Sequence, residues 1–359
     1  MTVAATGTHS FSRKGINYDV GTHTRSQAYS SREHFDPAIV RRELEIIRHD
    51  LHCNAVRISG QDIERLTVAA RFAIEQGLEV WFSPSYVNAD EAETLAYFEA
   101  CASAAEELRK LSPNVIFIVG CELTFFMKGL VTGETAFDRM QTLINPWKLI
   151  KNTLRKGSFH KRLNAFLTKA VAVVRSRFHG KLTYASGVWE QVNWAPFDFV
   201  GIDCYRDRMN QGSYREKLRA YFKHGKPVVV LEFGCCTYAG ASEKGGYGWA
   251  IVDRDQSPPR MKGEYVRDEN EQTRYMEELL TIFKEEQVEG AFWYTFVMPF
   301  YPGSENPQFD LDMASYSVVK SLDDGVVATS IASKTIAYSG MPWEPKASFR
   351  RLAELYADR

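Results

Sequence analysis

"VVVLEFGCC", residues 228–236, runs four apolar residues into Glu232 and then breaks on Gly234, Cys235 and Cys236. A strand without polar alternation is one covered on both faces, the habit of a parallel sheet wrapped by helices. An acid at its end is ordinary in itself, because strand ends meet solvent. The stretch "VIFIVGCELTFF", residues 115–126, repeats the design: an apolar strand, then Gly120, Cys121 and Glu122.

Around these two strands the chain alternates. "KGINYDV" (14–20), "NAVRIS" (54–59), "LEVWFSP" (78–84), the strand 115–119, "KLTYAS" (181–186), "FDFVGIDCY" (197–205), the strand from 228 and "GAFWYTF" (290–296) read as eight strands. Helical periodicity separates them. "DPAIVRRELEIIRHDL" opens on Asp36 as cap and Pro37 at the first helical position, and "DIERLTVAARFAIEQG" closes on Gly77. Further helices are expected at about 90–111, 160–178, 188–195, 214–225, 270–287 and from 347 to the end. Eight βα units with no G-x-G-x-x-G or Walker turn predict an α/β fold, a (β/α)8 TIM barrel. The expected organisation is a single domain over 1–359, with the barrel core at about 14–300 and a C-terminal loop and closing helix at 301–359. The surplus over the ~250 residues of a typical barrel is assigned to long loops after strands four (123–159), seven (233–266) and eight (297–344).

Composition removes several functions. With 44 basic and 45 acidic residues there is no overall field to hold a polyanion, so no nucleic-acid partner is expected. No uncharged apolar run approaches the ~20 residues of a membrane span, and the first residues lack a signal-peptide core. These features predict a cytoplasmic protein without a membrane partner. The six cysteines have no C-x-x-C spacing and read as reduced thiols. Cys121, Cys204 and Cys235 sit near strand ends, which leaves a soft-metal site as a lesser alternative. Oligomeric state is not encoded legibly.

In a barrel, reacting groups stand where strands end. The strand ends supply Asn17, Tyr18 and Asp19, then Arg57, Ser83 and Tyr86, then Glu122, Ser186 and Trp189, then Asp203, Tyr205 and Glu232, and last Trp293 and Tyr294. No histidine cluster suits a zinc hydrolase, no strand-end lysine suits a Schiff base, and no run of carboxylates suits an enolase-like metal. A pair of glutamates three strands apart remains. Two carboxyls about 5 to 5.5 Å apart suit double-displacement glycoside hydrolysis, in which one attacks the anomeric carbon and the other moves protons. Arg57 and Tyr205 are expected to hold Glu232 as its anion, while Glu122, beside Leu123, Phe125 and Phe126, keeps its proton. No cofactor or metal is needed.

These residues resemble the large clan of retaining (β/α)8 glycoside hydrolases that includes cellulases, β-mannanases and β-galactosidases. The resemblance implies that "GCEL" supplies the acid/base, Glu122, "VVLEFG" the nucleophile, Glu232, and "AVRIS" the supporting Arg57. It further implies that Tyr205 in "VGIDCYRD" bonds the nucleophile and that Trp293 in "GAFWYTF" floors the sugar site. "DMASYSVVK" (312–320) resembles the stretch that follows the barrel in several members. Most members place asparagine before the acid/base to grip the sugar 2-hydroxyl, where this chain has Cys121, a poor donor. Trp249, with Tyr238, Trp147 and Tyr301, is a candidate sugar platform. The expected partner is a short oligosaccharide or β-glycoside. The competing reading is a non-catalytic carbohydrate- or protein-binding barrel with a defence or regulatory role, since the chain also resembles some that carry an abortive-infection label.

Overall fold

The computed structural model describes residues 11–23, 30–322 and 338–357. Eight strands, β1 (Arg13–Asp19), β2 (Ala55–Gly60), β3 (Glu79–Pro84), β4 (Val115–Cys121), β5 (Lys181–Gly187), β6 (Val200–Asp203), β7 (Val228–Phe233) and β8 (Gly290–Trp293), close into one parallel barrel. The ring shuts where Arg13–Ile16 of β1 pairs with Gly290–Trp293 of β8. The expected TIM barrel is therefore the observed fold.

Each strand buries both faces. Ala55, Trp81, Ile116, Ile118, Phe199, Leu231 and Phe292 are among the side chains that fill the barrel, with Trp81 packed 5.1 Å from Phe199 and 5.2 Å from Phe292, ring centre to ring centre. Arg13 closes the N-terminal end, its guanidinium over the Trp81 and Phe199 rings and its Nε on Glu79. The alternate residues, such as Ile16, Val56, Val80 and Val230, face the outer helices. The interior is thus a plug, closed at its N-terminal end by the ion pairs of Arg13, which leaves the C-terminal mouth for a site.

Helix starts follow their caps. Asp36 accepts from Ala38 N ahead of helix Pro37–His49, Asp62 from Arg65 N ahead of Ile63–Glu75, and Asp90 forms a reciprocal box with Glu93 ahead of Glu91–Leu111. The last helix, Ala347–Tyr356, covers the seam of the ring, and Tyr356 donates to the carbonyls of Gly15 and Ala291.

Two sequence expectations are corrected. Residues 188–195 form a turn and extended chain rather than a helix, because Glu190 folds inward to protein donors and Asn193 Oδ1 accepts from Ala195 N, bonds that compete with a helical ladder. The expected loop after β4 is largely helical, with helices Leu123–Phe126, Ala136–Ile144 and Pro146–Lys156 leading to the barrel helix Phe159–Arg175. Its starts carry ordinary signals, a Thr135/Asp138 capping box and Asn145 before Pro146. The segment after β7 holds two 3-10 turns, Ala241–Glu243 and Gly245–Ile251, and a small ribbon. Among the described residues, no helix is long and apolar enough to cross a membrane.

Candidate active site

Both strands that carry the glutamates slip register just before them. Ile118 and Cys121 of β4 face Thr183 and Ala185 of β5, three steps against two, and β7 shifts between Val230 and Glu232 against a single step in β6. Such bulges re-aim a side chain at the end of a strand. In β4 the extra residue lies beside Gly120, whose φ of +88° a Cβ would not tolerate easily, since it would also press on Leu123.

Glu232 is held from two sides. Arg57 Nη1, arriving from β2, donates to Oε1 at 2.8 Å, and Tyr205 OH, just past β6, donates to Oε2 at 3.1 Å. Arg57 is itself fixed by Ser83 Oγ at 3.2 Å and approaches Asp203 Oδ1 at 3.5 Å. Both helpers expected from sequence are therefore at the glutamate.

Glu122 is held through its backbone. It sits at φ 40°, ψ 47°, a left-handed conformation that costs a non-glycine residue about 1–2 kcal/mol. The residues after it are gripped by the β5 end: Leu123 N donates to Tyr184 OH at 2.8 Å, and Thr124 donates from N and Oγ1 to Glu190 Oε1 at 3.2 and 2.6 Å. Tyr184 OH in turn donates to Glu190 Oε2 at 2.8 Å, and the Phe125 ring lies 4.2 Å from Trp189. This cradle holds the backbone that follows Glu122 and offsets the strain there.

Burial, followed by the neighbouring Asp203, Glu232 and Glu190 carboxylates, pushes the Glu122 carboxyl well above its ordinary range. Asp203 is displaced the same way, by burial and then by Glu232. Several acids thus crowd a single guanidinium, and burial with shared negative charge disfavours the anionic forms of Glu122 and Asp203.

Cys121 does not point into open space. Its thiol donates to Asp203 Oδ2 at 3.4 Å and to Glu232 Oε1 at 3.7 Å, and burial, then Asp203 and Glu232, hold it as the neutral thiol. Cys121, Asp203 and Glu232 offer ligand atoms within 4.8 Å of one another. Arg57 already supplies the positive charge there, which disfavours a cation. Cys204 and Cys235 are buried in the outer layer and join no cluster with Cys121, so the three-cysteine site does not form.

Three expected site residues lie elsewhere. Tyr18 points outward, fully buried, and its hydroxyl donates to Glu43, which also takes Arg32 Nη2 at 2.7 Å and Trp343 Nε1 at 2.8 Å. Trp293 also faces outward, edge-on to Phe233, with Nε1 on the Tyr316 carbonyl, so it floors no sugar site. Tyr294, the next residue, lies close enough to Glu232 and Arg57 for their charges to act on its hydroxyl. Asn17 faces inward but is buried, donating to the Leu231 carbonyl at 2.9 Å and so tying β1 across to β7 below the mouth.

Of the candidate platforms, Tyr238 and Tyr301 are buried, Trp147 stands on an outer helix, and Trp249 is half-buried against the core. A partly exposed aromatic residue near Glu122, not among the candidate platforms, is Tyr247, whose hydroxyl feels burial first and then the Glu122 charge. Sequence reasoning also left Asp203 and Glu190 without roles. Glu190 could have been noticed as the first acid after Asp138 in a stretch otherwise free of them.

No family model matches the sequence, and no curated protein matches it. Among solved structures, a GH113 β-1,4-mannanase superposes with a TM-score of 0.60 at 15% identity, over 98% of this chain and 100% of the other. The GH113 β-mannanase of Alicyclobacillus acidocaldarius gives 0.56 at 13% identity over 96% of each chain, and a β-glycosidase gives 0.52 at 12% over 97% and 99%. What they share is the fold. At these identities the likeness establishes the barrel and says nothing of individual side chains.

Proposed function

We propose that the chain is a retaining glycoside hydrolase or transglycosidase acting on a β-glycoside or short oligosaccharide, with Glu232 as nucleophile and Glu122 as acid/base. The observation that carries this reading is the unequal treatment of the two glutamates at one mouth. Glu232 receives donors on both oxygens from Arg57 and Tyr205, while Glu122 is pushed toward its protonated form by burial and by the neighbouring acids.

The chemistry follows from that division. A Glu232 oxygen attacks the anomeric carbon and forms an ester bond while the glycosidic C–O bond breaks, and the departing oxygen takes the proton of Glu122. Glu122, now anionic, then takes a proton from an incoming water or sugar hydroxyl, whose oxygen displaces Glu232 from the anomeric carbon. The two inversions restore the starting configuration. Asp203, buried beside Arg57 and Cys121, is pushed toward its neutral form by burial and then by Glu232. Solved mannanases and a β-glycosidase with this fold make β-mannosides the first compounds to try, followed by other β-glycosides.

The test is a panel of aryl β-glycosides on the wild type, Glu232→Ala and Glu122→Gln. Loss of turnover in Glu232→Ala, with a new glycosyl azide formed when azide is added, supports the reading. Turnover that survives both substitutions removes the two glutamates from their roles, and no turnover by the wild type on any glycoside of the panel defeats the reading in favour of a binding barrel. NMR of the first-formed product anomer reads retention directly.

A further inference from the structure

Between Asp138 and Glu190 the chain has eleven Lys and Arg and no Asp or Glu, although the whole chain carries a net charge of only −1. The middle of this stretch is helix Pro146–Lys156, "PWKLIKNTLRK", which hardly touches the rest of the molecule: only Asn152 is buried and Leu149 half-buried. Its apolar stripe faces the other way. Trp147, Ile150 and Leu154 follow i, i+3, i+7 spacing and are 80%, 51% and 84% exposed. At about 100° per residue, this stripe lies on the side of the helix opposite Leu149 and Asn152. Phe137 and Ile144 of the preceding helix are exposed as well.

Lys148, Lys151 and Arg155 flank the stripe along one edge, and among the described residues Lys151, Arg155 and Lys156 have no carboxylate partner. A mostly polar helix that gathers its bulky apolar side chains on one face, with long cationic ones beside them, suits the boundary of a lipid bilayer. There the rings and branches enter the acyl layer and the Lys and Arg stems reach back to phosphates. A second copy of the chain fits less well, because each copy would bring the same uncompensated cations to the contact. Nucleic acid fits less well too, because exposed Ile150 and Leu154 gain nothing from phosphates.

We infer that helix Pro146–Lys156 is a docking surface for an anionic lipid bilayer. The helix belongs to the β4 connection, so it stands at the end of the barrel where the mouth opens. This inference is independent of the reaction proposed above. That no helix among the described residues is long and apolar enough to cross a membrane leaves it untouched, since such a helix lies on the bilayer and does not cross it, and the inference runs against the sequence expectation of no membrane partner.

The experiment is flotation of the full chain with vesicles of phosphatidylcholine alone and of phosphatidylcholine mixed with phosphatidylglycerol. The chain should float only with the anionic vesicles and be released by high salt. Leu154→Ser should weaken partition about tenfold, and Lys151→Gln or Arg155→Gln about fivefold each. Leu111→Ser, at another exposed leucine, should leave partition unchanged. All these side chains are exposed, and circular dichroism checks that folding is intact. Failure to float with either vesicle, equal flotation with both, or a solution dimer that Leu154→Ser splits would each overturn the inference.

Discussion

Arg57 Nη1 lies 2.8 Å from Glu232 Oε1, a contact between β2 and β7 that is buried at the arginine and open to the mouth at the glutamate. The same guanidinium nitrogen is 3.5 Å from Asp203, so one cation serves two acids. Arg57→Met would keep the bulk and remove the charge. We expect it to cost about 3 to 5 kcal/mol of stability, the penalty for stranding buried acids, and to abolish glycoside turnover. Urea unfolding beside kinetics at a temperature where the variant is folded checks both.

Glu190 gives the fold a pH dependence of known sign. Burial pushes its carboxyl from 4.5 up to about 7. A carboxyl whose folded value exceeds its unfolded one takes up a proton on folding, so its contribution to stability is full below about 4.5 and declines as pH rises to about 7. Glu190→Gln should flatten that decline, seen as a urea midpoint that changes less over this range. It should also shift the alkaline limb of activity to lower pH, because the Glu190 charge helps to raise Glu122. An unchanged limb would mean that Glu190 acts on structure alone.

Cys121 is engaged with Asp203 and Glu232 and is a poor partner for a sugar hydroxyl. The wild type should therefore discriminate weakly between a cleaved glycoside and its 2-deoxy analogue. Cys121→Asn should widen the ratio of kcat/KM values, and no change would mean that another residue grips that hydroxyl. In the native protein the thiol should react slowly with iodoacetamide, because its anion is strongly disfavoured.

Two tyrosines separate chemistry from packing. Tyr205→Phe removes a donor to Glu232 and should lower kcat/KM by about tenfold or more, the worth of one charged hydrogen bond, with little change in unfolding. Tyr18→Phe removes a donor to buried Glu43 and should cost about 1.5 to 3 kcal/mol of stability while kcat/KM is unchanged. Reversed results would return Tyr18 to the site.

Much of this site is legible in the sequence because strand order and strand ends are. Apolar runs ending in Glu122 and Glu232, with Arg57 and Tyr205 on other strands, come together through closure of the ring alone. Tyr18 and Trp293 show where that reading stops. In β8, Phe292 fills the barrel, Trp293 faces the helices and Tyr294 turns back toward Glu232. Both faces of such a strand are apolar, so its sequence carries no alternation from which to choose the inward phase, and an error of one residue exchanges core for site. The bulges that aim Glu122 and Glu232 are equally silent, apart from Gly120.

The sequence by itself determined the barrel and pointed to two strand-end glutamates with an arginine and a tyrosine as partners of one of them. Tertiary structure alone decided which way each strand-end side chain turns, that Asp203 and Glu190 crowd Glu122, and that Trp147, Ile150 and Leu154 face outward. The physical reason is the range of the interactions: periodicity and caps act within a few residues, whereas phase, burial and shared charge depend on groups brought together from distant strands.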